Sequence, residues 1–168
     1  MILAQLNELA REQVSAELRR CCGAEHWVDQ MLARRPFVDR AALHSAAAEA
    51  ARSLEEKDWL EAFSHHPKIG DLDALRGQFA STAGWAASEQ AGATSASDEV
   101  LRALAESNRV YEERFGFRFI VCATGRNAAE MLALLQARLD HPRSDELRIA
   151  AGEQEKITLL RLEKLLSP

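Results

Sequence analysis

Glycine, proline and cysteine are all scarce in this 168-residue chain, which has 8, 4 and 3 of them respectively. So few glycines and prolines exclude collagen-like and low-complexity chains, and the 47% hydrophobic and 28% charged residues are typical of a helix-rich globular protein. No stretch approaches the ~18 consecutive apolar residues of a membrane-spanning helix. The first residues also lack the charged start and the apolar run of a secretory signal. We therefore expect no membrane partner and no export.

A basic excess is missing too, since 21 Lys and Arg stand against 26 Asp and Glu and the net charge is −5. This balance argues against nucleic acid as the main partner. The cysteines are odd in number, and Cys21 and Cys22 cannot easily bridge each other, which fits a reducing compartment. Cys122 lies in an apolar run and is predicted to be a buried, unreactive thiol. The chain ends in residues 165–168 without a peroxisomal address, so we expect a cytoplasmic location.

Several motifs of cofactor and metal chemistry are also absent. The chain has no C-x-x-C, no H-E-x-x-H and no glycine-rich nucleotide loop, and it has no G-x-S-x-G elbow. Glu61 and His65, four residues apart on one helix, are the best metal-ligand candidates, with two carboxylates at 71 and 73. They do not make a recognised ligand set. Metal catalysis is therefore not expected, and nucleotide transfer and hydrolase-elbow chemistry lose their usual sequence support.

The chain is long enough to bury a hydrophobic core without disulfides or structural metals, and no repeat or linker divides it. We predict one compact all-α domain over residues 1–168 with about seven to nine helices. Apolar spacing and capping residues indicate helices from the N-cap Asn7 to Gly23, over 25–33, from the N-cap Asp39 towards Lys57, over 59–65 after Asp58 and Glu61, over 98–115 after Ser97, over 128–139 after Asn127 and Glu130, and over 145–166 after Ser144.

One short segment, near 117–122, is predicted to be extended instead, because aromatic and β-branched residues dominate it and Gly116 interrupts the run. No partner strand exists elsewhere in the sequence. Its backbone N–H and C=O groups need partners, which are either helix ends and water or a bound polar ligand.

A His-Pro pair marks the candidate site. Pro67 has no backbone N–H and pushes His66 out of the α region, so a helix should end here with the imidazole held by stiff backbone. An imidazole titrates near ~6.5 and exchanges protons at neutral pH. The alternative is that a helix simply ends at a proline and that His65 and His66 are surface residues.

Two further features point to the same chemistry. After an irregular segment over 67–84, a short predicted helix over 85–92 carries Glu89 beside Gln90. Arg161 falls on the apolar side of the last helix, where a guanidinium requires a protein carboxylate or an anionic ligand. An imidazole, a carboxylate and a guanidinium suit proton transfer on a small anion.

The residues also resemble a known family over nearly the whole chain. The matching pieces, in order, are Leu6-Asn7, Trp27-Val28, Arg35-Pro36-Phe37, His66-Pro67 with Gly70, Glu89-Gln90, 115–121, Gly125-Arg126, Lys156-Ile157 and Arg161-Leu162. Their order and spacing are similar to those of the 2-oxo-4-hydroxy-4-carboxy-5-ureidoimidazoline (OHCU) decarboxylases of urate breakdown.

The resemblance implies a single all-helical domain that decarboxylates OHCU stereoselectively to (S)-allantoin without a cofactor. By position it makes His66 and Glu89 catalytic. It places the substrate, a small anion, against Pro67, Gln90, Arg161 and the backbone of Phe119, Ile120, Val121, Cys122 and Ala123.

One departure from the family pattern is Ala86, where relatives commonly carry serine, and the resemblance therefore implies that one hydroxyl contact to the substrate is lost. Some relatives look dimeric, which makes a homodimer possible, although nothing in the sequence marks an interface. Two other functions remain open at this point. They are a helical protein-interaction module and a decarboxylase of a related ureido or imidazolone acid.

Overall fold

The computed structural model describes residues 1–67 and 98–167, and these form eight helices without a strand. In chain order they are α1 (Leu3–Glu8), α2 (Arg11–Cys21), α3 (Glu25–Ala33), α4 (Arg40–Arg52), α5 (Glu56–Ser64), α6 (Asp98–Phe115), α7 (Ala128–Arg138) and α8 (Arg143–Leu165). The predicted all-α class is confirmed. Within these ranges, no helix combines the length and the apolar character needed to cross a bilayer.

Two compact units divide the described residues. The first unit contains residues 1–66, 120–122 and 147–167, and the second contains residue 67 and residues 98–119 and 123–146. Most of α8 therefore belongs to the first unit, and its first turn belongs to the second. The single domain expected from the sequence stays a prediction.

In the first unit, α3 packs against α2, α4 and α5. Trp27 of α3 is 1% exposed, and its indole N–H donates to the Ala47 carbonyl of α4 at 3.2 Å. Alanines on the facing side of α4 let this large ring approach the helix backbone closely. The core of this unit comprises Leu6, Val14, Leu18, Cys21, Cys22, Ala24, Trp27, Val28, Met31, Phe37, Leu43, Ala46, Ala47, Ala50, Ala51, Ala62, Leu162 and Leu166.

Asn7 does not cap a helix, contrary to the prediction, because it lies inside α1. Its side chain donates to the Phe37 carbonyl at 2.8 Å and accepts from the Phe37 N–H at 3.0 Å. Arg35 donates to the carbonyls of Leu6 and Leu9 at 3.0 and 2.9 Å. A long-range partner thus replaces the local cap, and two pieces of the recognised pattern hold each other in place.

Asp58 does not begin α5 either. The N-cap is Glu55, and Asp58 is the third helical residue, whose carboxylate accepts from the Glu55 N–H at 2.9 Å. The capping box is therefore shifted by three residues toward the N-terminus. Glu61, expected as the partner of Asp58, instead accepts from the Glu25 N–H at 3.2 Å and so supports the start of α3.

Two other predicted N-caps, those of α4 and α7, are confirmed. Asp39 caps α4 by accepting from the Ala42 N–H at 2.7 Å, although the helix ends at Arg52 and not near Lys57. Asn127 and Glu130 form the expected capping box of α7.

Ser144 was predicted to cap the last helix, but it lies inside α8. The N–H groups of Asp145 and Glu146 both donate to the Pro142 carbonyl, at 3.1 and 3.0 Å, and this starts the helix before the serine. The bounds of α6 agree with the prediction, whereas its expected cap Ser97 lies outside the described residues. So does the predicted helix over 85–92, and so do all residues of the predicted irregular segment after Pro67.

The second unit is organised around Tyr111, the sole tyrosine of the chain. Helix α6 packs against α7, and the ring of Tyr111 lies 4.6, 5.9 and 5.2 Å (centroid to centroid) from those of Phe115, Phe117 and Phe119. Its hydroxyl donates to the fully buried carboxylate of Glu146. Burial, together with the Glu146 carboxylate, raises the pKa of this phenol, so it remains a donor.

The segment after α6 is irregular. Gly116 has a φ of +76°, a conformation that favours glycine, and its N–H donates to the Glu112 carbonyl at 2.9 Å to end the helix. Residues 118–123 then have no regular secondary structure. The segment near 117–122, predicted to be extended, therefore does not form a strand within the described part of the chain.

Candidate active site

His66 lies two residues beyond the end of α5. The last helical residue is Ser64, and the His66 N–H donates to the Phe63 carbonyl at 3.1 Å, which closes a final tight turn before Pro67. The ring of His66 is half-buried, whereas His65 and Pro67 are exposed. The Nε2 atom of His66 lies 2.5 Å from Oε1 of Gln154 on α8. The predicted helix end is thus confirmed, and of the two histidines only His65 is an exposed surface residue.

The partner of His66 belongs to a row of polar residues on α8, which we call the polar stripe: Gln154, Thr158 and Arg161. Spacings of four and three residues place them on one face of the helix. Gln154 and Thr158 are 1% and 5% exposed. The stripe extends about 10 Å along the helix axis at 1.5 Å per residue.

Arg161 closes the far end of this stripe. Its Nη1 atom donates to the carbonyls of Arg20 and Cys21, at 3.1 and 3.5 Å, where α2 ends. The last carbonyls of a helix have no intrahelical partner and carry partial negative charge, so a guanidinium is well placed there. Among the described residues no carboxylate pairs with Arg161, and its Nε and Nη2 atoms make no hydrogen bond. A structural salt bridge to Arg161, one of the two alternatives that the sequence left open, is thus not formed among the described residues.

The neighbouring cysteines are not nucleophiles. Burial raises the pKa of Cys21 to about 12 and that of Cys22 to about 11, although the nearby Arg161 charge opposes both shifts. Both thiols stay protonated at neutral pH. Cys122, predicted to be buried, is only half-buried because it lies in the irregular segment between α6 and α7.

The segment over 119–123 combines buried side chains with a fixed backbone. Phe119 and Ile120 are 5% and 2% exposed, so their side chains serve the core. The Cys122 N–H donates to the Glu153 carboxylate at 2.7 Å, and the same carboxylate contacts Lys156 at 2.5 Å. One backbone group of this segment, the Cys122 N–H, is therefore held by α8.

The structure brings part of the predicted site together. His66 and Cys122 contact the adjacent residues Gln154 and Glu153 of α8, and Arg161 extends from the same helix. Pro67 follows His66, while Val121 and Ala123 are half-buried beside Cys122. Glu89 and Gln90 lie outside the described residues, as does Ala86, so their predicted roles stay predictions.

Sequence reasoning missed Glu153, Gln154 and Thr158. The signal was available, because Gln154 and Thr158 are polar residues in register with Arg161 on the leucine-rich side of the helix. Within 1–67 and 98–167, no group of three or more His, Cys, Asp or Glu residues is arranged to hold a metal ion.

The described part of the chain is all-helical, and it brings a half-buried histidine, His66, and a guanidinium, Arg161, to one helix, α8. A family model described as OHCU decarboxylase matches residues 7–163. The chain belongs to the OHCU decarboxylase family, as its sequence pattern predicted, and the family's enzymes are lyases.

Known relatives agree with this membership. The chain is 40% identical over 161 residues to the uric acid degradation bifunctional protein TTL of Arabidopsis thaliana, covering 95% of this chain and 49% of that protein. It thus spans about half the length of the plant protein. It is 30% identical to the 2-oxo-4-hydroxy-4-carboxy-5-ureidoimidazoline decarboxylase of Haloferax volcanii, covering 84% and 82% of the two chains.

A solved structure is similar as well. A crystal structure of OHCU decarboxylase in the presence of (S)-allantoin superposes with a TM-score of 0.73 at 39% identity, covering 90% of this chain and 98% of that one.

Proposed function

We propose that this protein decarboxylates OHCU to (S)-allantoin in urate breakdown without a cofactor. The observation that carries the proposal is the placement of His66 and Arg161 along the polar stripe of α8, in a chain of the OHCU decarboxylase family. Relatives named as OHCU decarboxylases, and one crystallised with (S)-allantoin, support both substrate and product. Family membership favours this enzyme over the helical interaction module.

Loss of CO2 leaves an electron pair on the carbon that carried the carboxylate. The conjugated ring of the substrate accepts this pair, so no external electron sink is required. His66 then takes the proton of the substrate hydroxyl or delivers one to the ring carbon that accepted the pair, and Glu89 acts as the second catalytic group. Proton delivery from one face sets the hand of the product.

Arg161 supplies the positive charge for substrate binding. One edge of its guanidinium is fixed to the end of α2, and its Nε and Nη2 atoms form a second, fork-like edge that matches a carboxylate. The backbone over 119–123, with Pro67 and Gln90, completes the substrate contacts. A guanidinium that is already oriented by the protein loses little conformational freedom when it binds the substrate.

The experiment generates OHCU from urate in the cuvette and follows (S)-allantoin by circular dichroism. Spontaneous decay yields racemic product, so optical activity reports the enzyme alone. His66→Ala should abolish the enzymatic signal while the far-UV helical spectrum stays intact. His44→Ala, which removes an imidazole 2.6 Å from Glu163, is the matched control and should retain the rate. An unchanged rate in His66→Ala removes His66 from the mechanism.

The substrate assignment is tested separately with a panel of related ureido and imidazolone acids. OHCU should be turned over with the highest kcat/KM. A higher kcat/KM for another acid would make that acid the substrate of the same site. We also propose a cytoplasmic location, supported by the three cysteines, all of which are free thiols.

A further inference from the structure

Gln154 is oriented by Thr158, one turn further along α8. The Nε2 atom of the Gln154 amide donates to Oγ1 of Thr158 at 3.2 Å. The threonine hydroxyl has a single hydrogen, and its nearest acceptors are the backbone carbonyls of Gln154, at 2.9 Å, and Cys21, at 3.5 Å. Because that hydrogen is used on a carbonyl, Oγ1 can meet the amide only as an acceptor. The NH2 end of Gln154 therefore faces Thr158, and the oxygen end faces His66.

This orientation determines which ring nitrogen of His66 carries hydrogen. An amide oxygen accepts and never donates, so the Nε2 atom 2.5 Å away from it must be protonated. A neutral imidazole has one N–H, which leaves the lone pair on Nδ1. Gln154 is 1% exposed, so water competes poorly for its oxygen, and an unsatisfied oxygen there is costly.

We infer that Gln154 is a positioning residue that holds His66 as the Nε2–H tautomer, in which the basic lone pair is on Nδ1. The inference rests on the proposed function for the identity of the reaction, whereas the tautomer itself is a property of the protein without substrate. Thr158 acts one step further away, because it determines which end of the amide His66 meets.

The tautomer is measured by two-dimensional 1H–15N correlation through the imidazole rings of the 15N-labelled protein, at a pH where the rings are neutral. The chain has 5 histidines, and the His66 signals are those absent from the His66→Ala spectrum. Wild-type His66 should show the Nε2–H pattern. In Gln154→Met, which keeps the length of the side chain and removes the acceptor, a mixed pattern should appear. An Nδ1–H pattern in the wild type, or an unchanged pattern in Gln154→Met, overturns the inference.

Kinetics add a second readout. Gln154→Met should lower kcat by about tenfold to a hundredfold, within the ~10²–10⁴-fold that a positioned acid–base group contributes, with little change in KM. Gln154→Glu keeps an acceptor for Nε2–H and should retain more of the wild-type kcat than the methionine variant. Equal losses in both variants contradict a positioning role. Gln136→Met, an exposed glutamine on α7, is the control and should change neither the His66 pattern nor kcat.

Failure of this inference and failure of the proposed function give different results. If the protein does not decarboxylate OHCU, the kinetic arm has no signal, yet the tautomer of His66 and its response to Gln154→Met are still measured. If His66 is not the Nε2–H tautomer but (S)-allantoin still forms, the proposed function stands and only the role of Gln154 is withdrawn.

Discussion

Gly23 shows how one missing side chain affects the position of His66. A Cβ atom built on Gly23 would lie 2.5 Å from Cγ and 2.8 Å from Cβ of His65. These atoms are close to the backbone of His65, so rotation of the ring cannot relieve the contact. His66 is the next residue, and any backbone shift at His65 moves it. The glycine is thus needed for a close approach between the end of α2 and the end of α5.

We predict that Gly23→Ala destabilises the fold and lowers kcat. Overpacking at such a contact costs about 1–3 kcal/mol, and the displaced His66 loses its geometry to Gln154. Urea unfolding followed by far-UV circular dichroism measures the first effect, and formation of (S)-allantoin measures the second. A variant as stable and as active as the wild type would show that the backbone at His65 yields without cost.

Gly152→Ala is the matched control for that change. Gly152 lies inside α8, and apart from the neighbouring backbone of its own helix, no heavy atom of the described residues lies within 4 Å of the position its Cβ would take. Alanine is the better helix former by about 0.5–1 kcal/mol, so this variant should be more stable than the wild type at unchanged kcat. The same substitution thus has opposite signs at two glycines.

The sequence predicted the placement of individual residues correctly where neighbouring residues alone determine the backbone conformation. The His-Pro pair specifies its own helix end, so the place of His66 was predicted from proline alone. Arg161 was predicted to need a partner, but its partners, the carbonyls at the end of α2, are distant in sequence. Gln154 was missed because a glutamine in a helix has no local signature. Its role arises from a contact across 88 residues.

At the level of helices, α8 begins at a buried charge network. The Glu146 carboxylate accepts from the Tyr111 hydroxyl and from Arg138 Nε, the latter at 2.6 Å, and lies 3.1 Å from His141 Nδ1. The side chains of Arg138 and Glu146 are 8% and 0% exposed. This carboxylate ties the first turn of α8 to α6 and to the end of α7.

We predict that Glu146→Gln strongly destabilises the protein. Breaking a buried ion pair by removing one partner costs about 3–5 kcal/mol, and this change takes the charged carboxylate away from the buried Arg138 guanidinium. The free energy of unfolding in urea is the measurement. The control is Glu113→Gln, which removes a solvent-exposed partner of Arg109 and should leave stability unchanged because exposed pairs contribute little. Similar losses in both variants would contradict the special role of the buried network.

The helix boundaries show which local signals are reliable. Asp39 and Asn127 cap the predicted helices, and the side chain of each accepts from the backbone N–H three residues further along. Asn7 and Asp58 carry the same capping chemistry, but Asn7 is bound to Phe37 and Asp58 serves as the third residue of its helix. Caps read from the sequence thus fail where a tertiary partner or a neighbouring capping residue takes the side chain.

For the whole molecule, the helical class could be predicted because apolar residues recur at helical spacing along most of the chain. The segment near 117–122 shows the limit of this reasoning. Its composition favours a strand, yet the described residues contain no strand to pair with it, and Glu153 of α8 holds its backbone instead. Composition predicts the local conformation, whereas the partner depends on the fold.

Acid sensitivity of the fold should depend on Asp58. Burial raises the pKa of this carboxyl, but the Glu55 N–H and His26 stabilise the charged form more strongly and leave the folded pKa below its usual value of 3.8. A group with a depressed folded pKa binds fewer protons in the native state than in the unfolded chain. Its contribution to stability is therefore present above 3.8 and is lost as the pH falls through the folded pKa.

We predict that wild type is more stable than Asp58→Asn at neutral pH and that this difference shrinks as the pH falls below 3.8. Asparagine keeps the shape and an acceptor for the Glu55 N–H but has no charge to lose. The measurement is the free energy of unfolding in urea at a series of pH values for both proteins. Asp29→Asn, at an exposed carboxylate 3.6 Å from Arg11, should show a much smaller pH-dependent difference. A difference between wild type and Asp58→Asn that is constant with pH would mean that packing at residue 58, and not its charge, stabilises the start of α5.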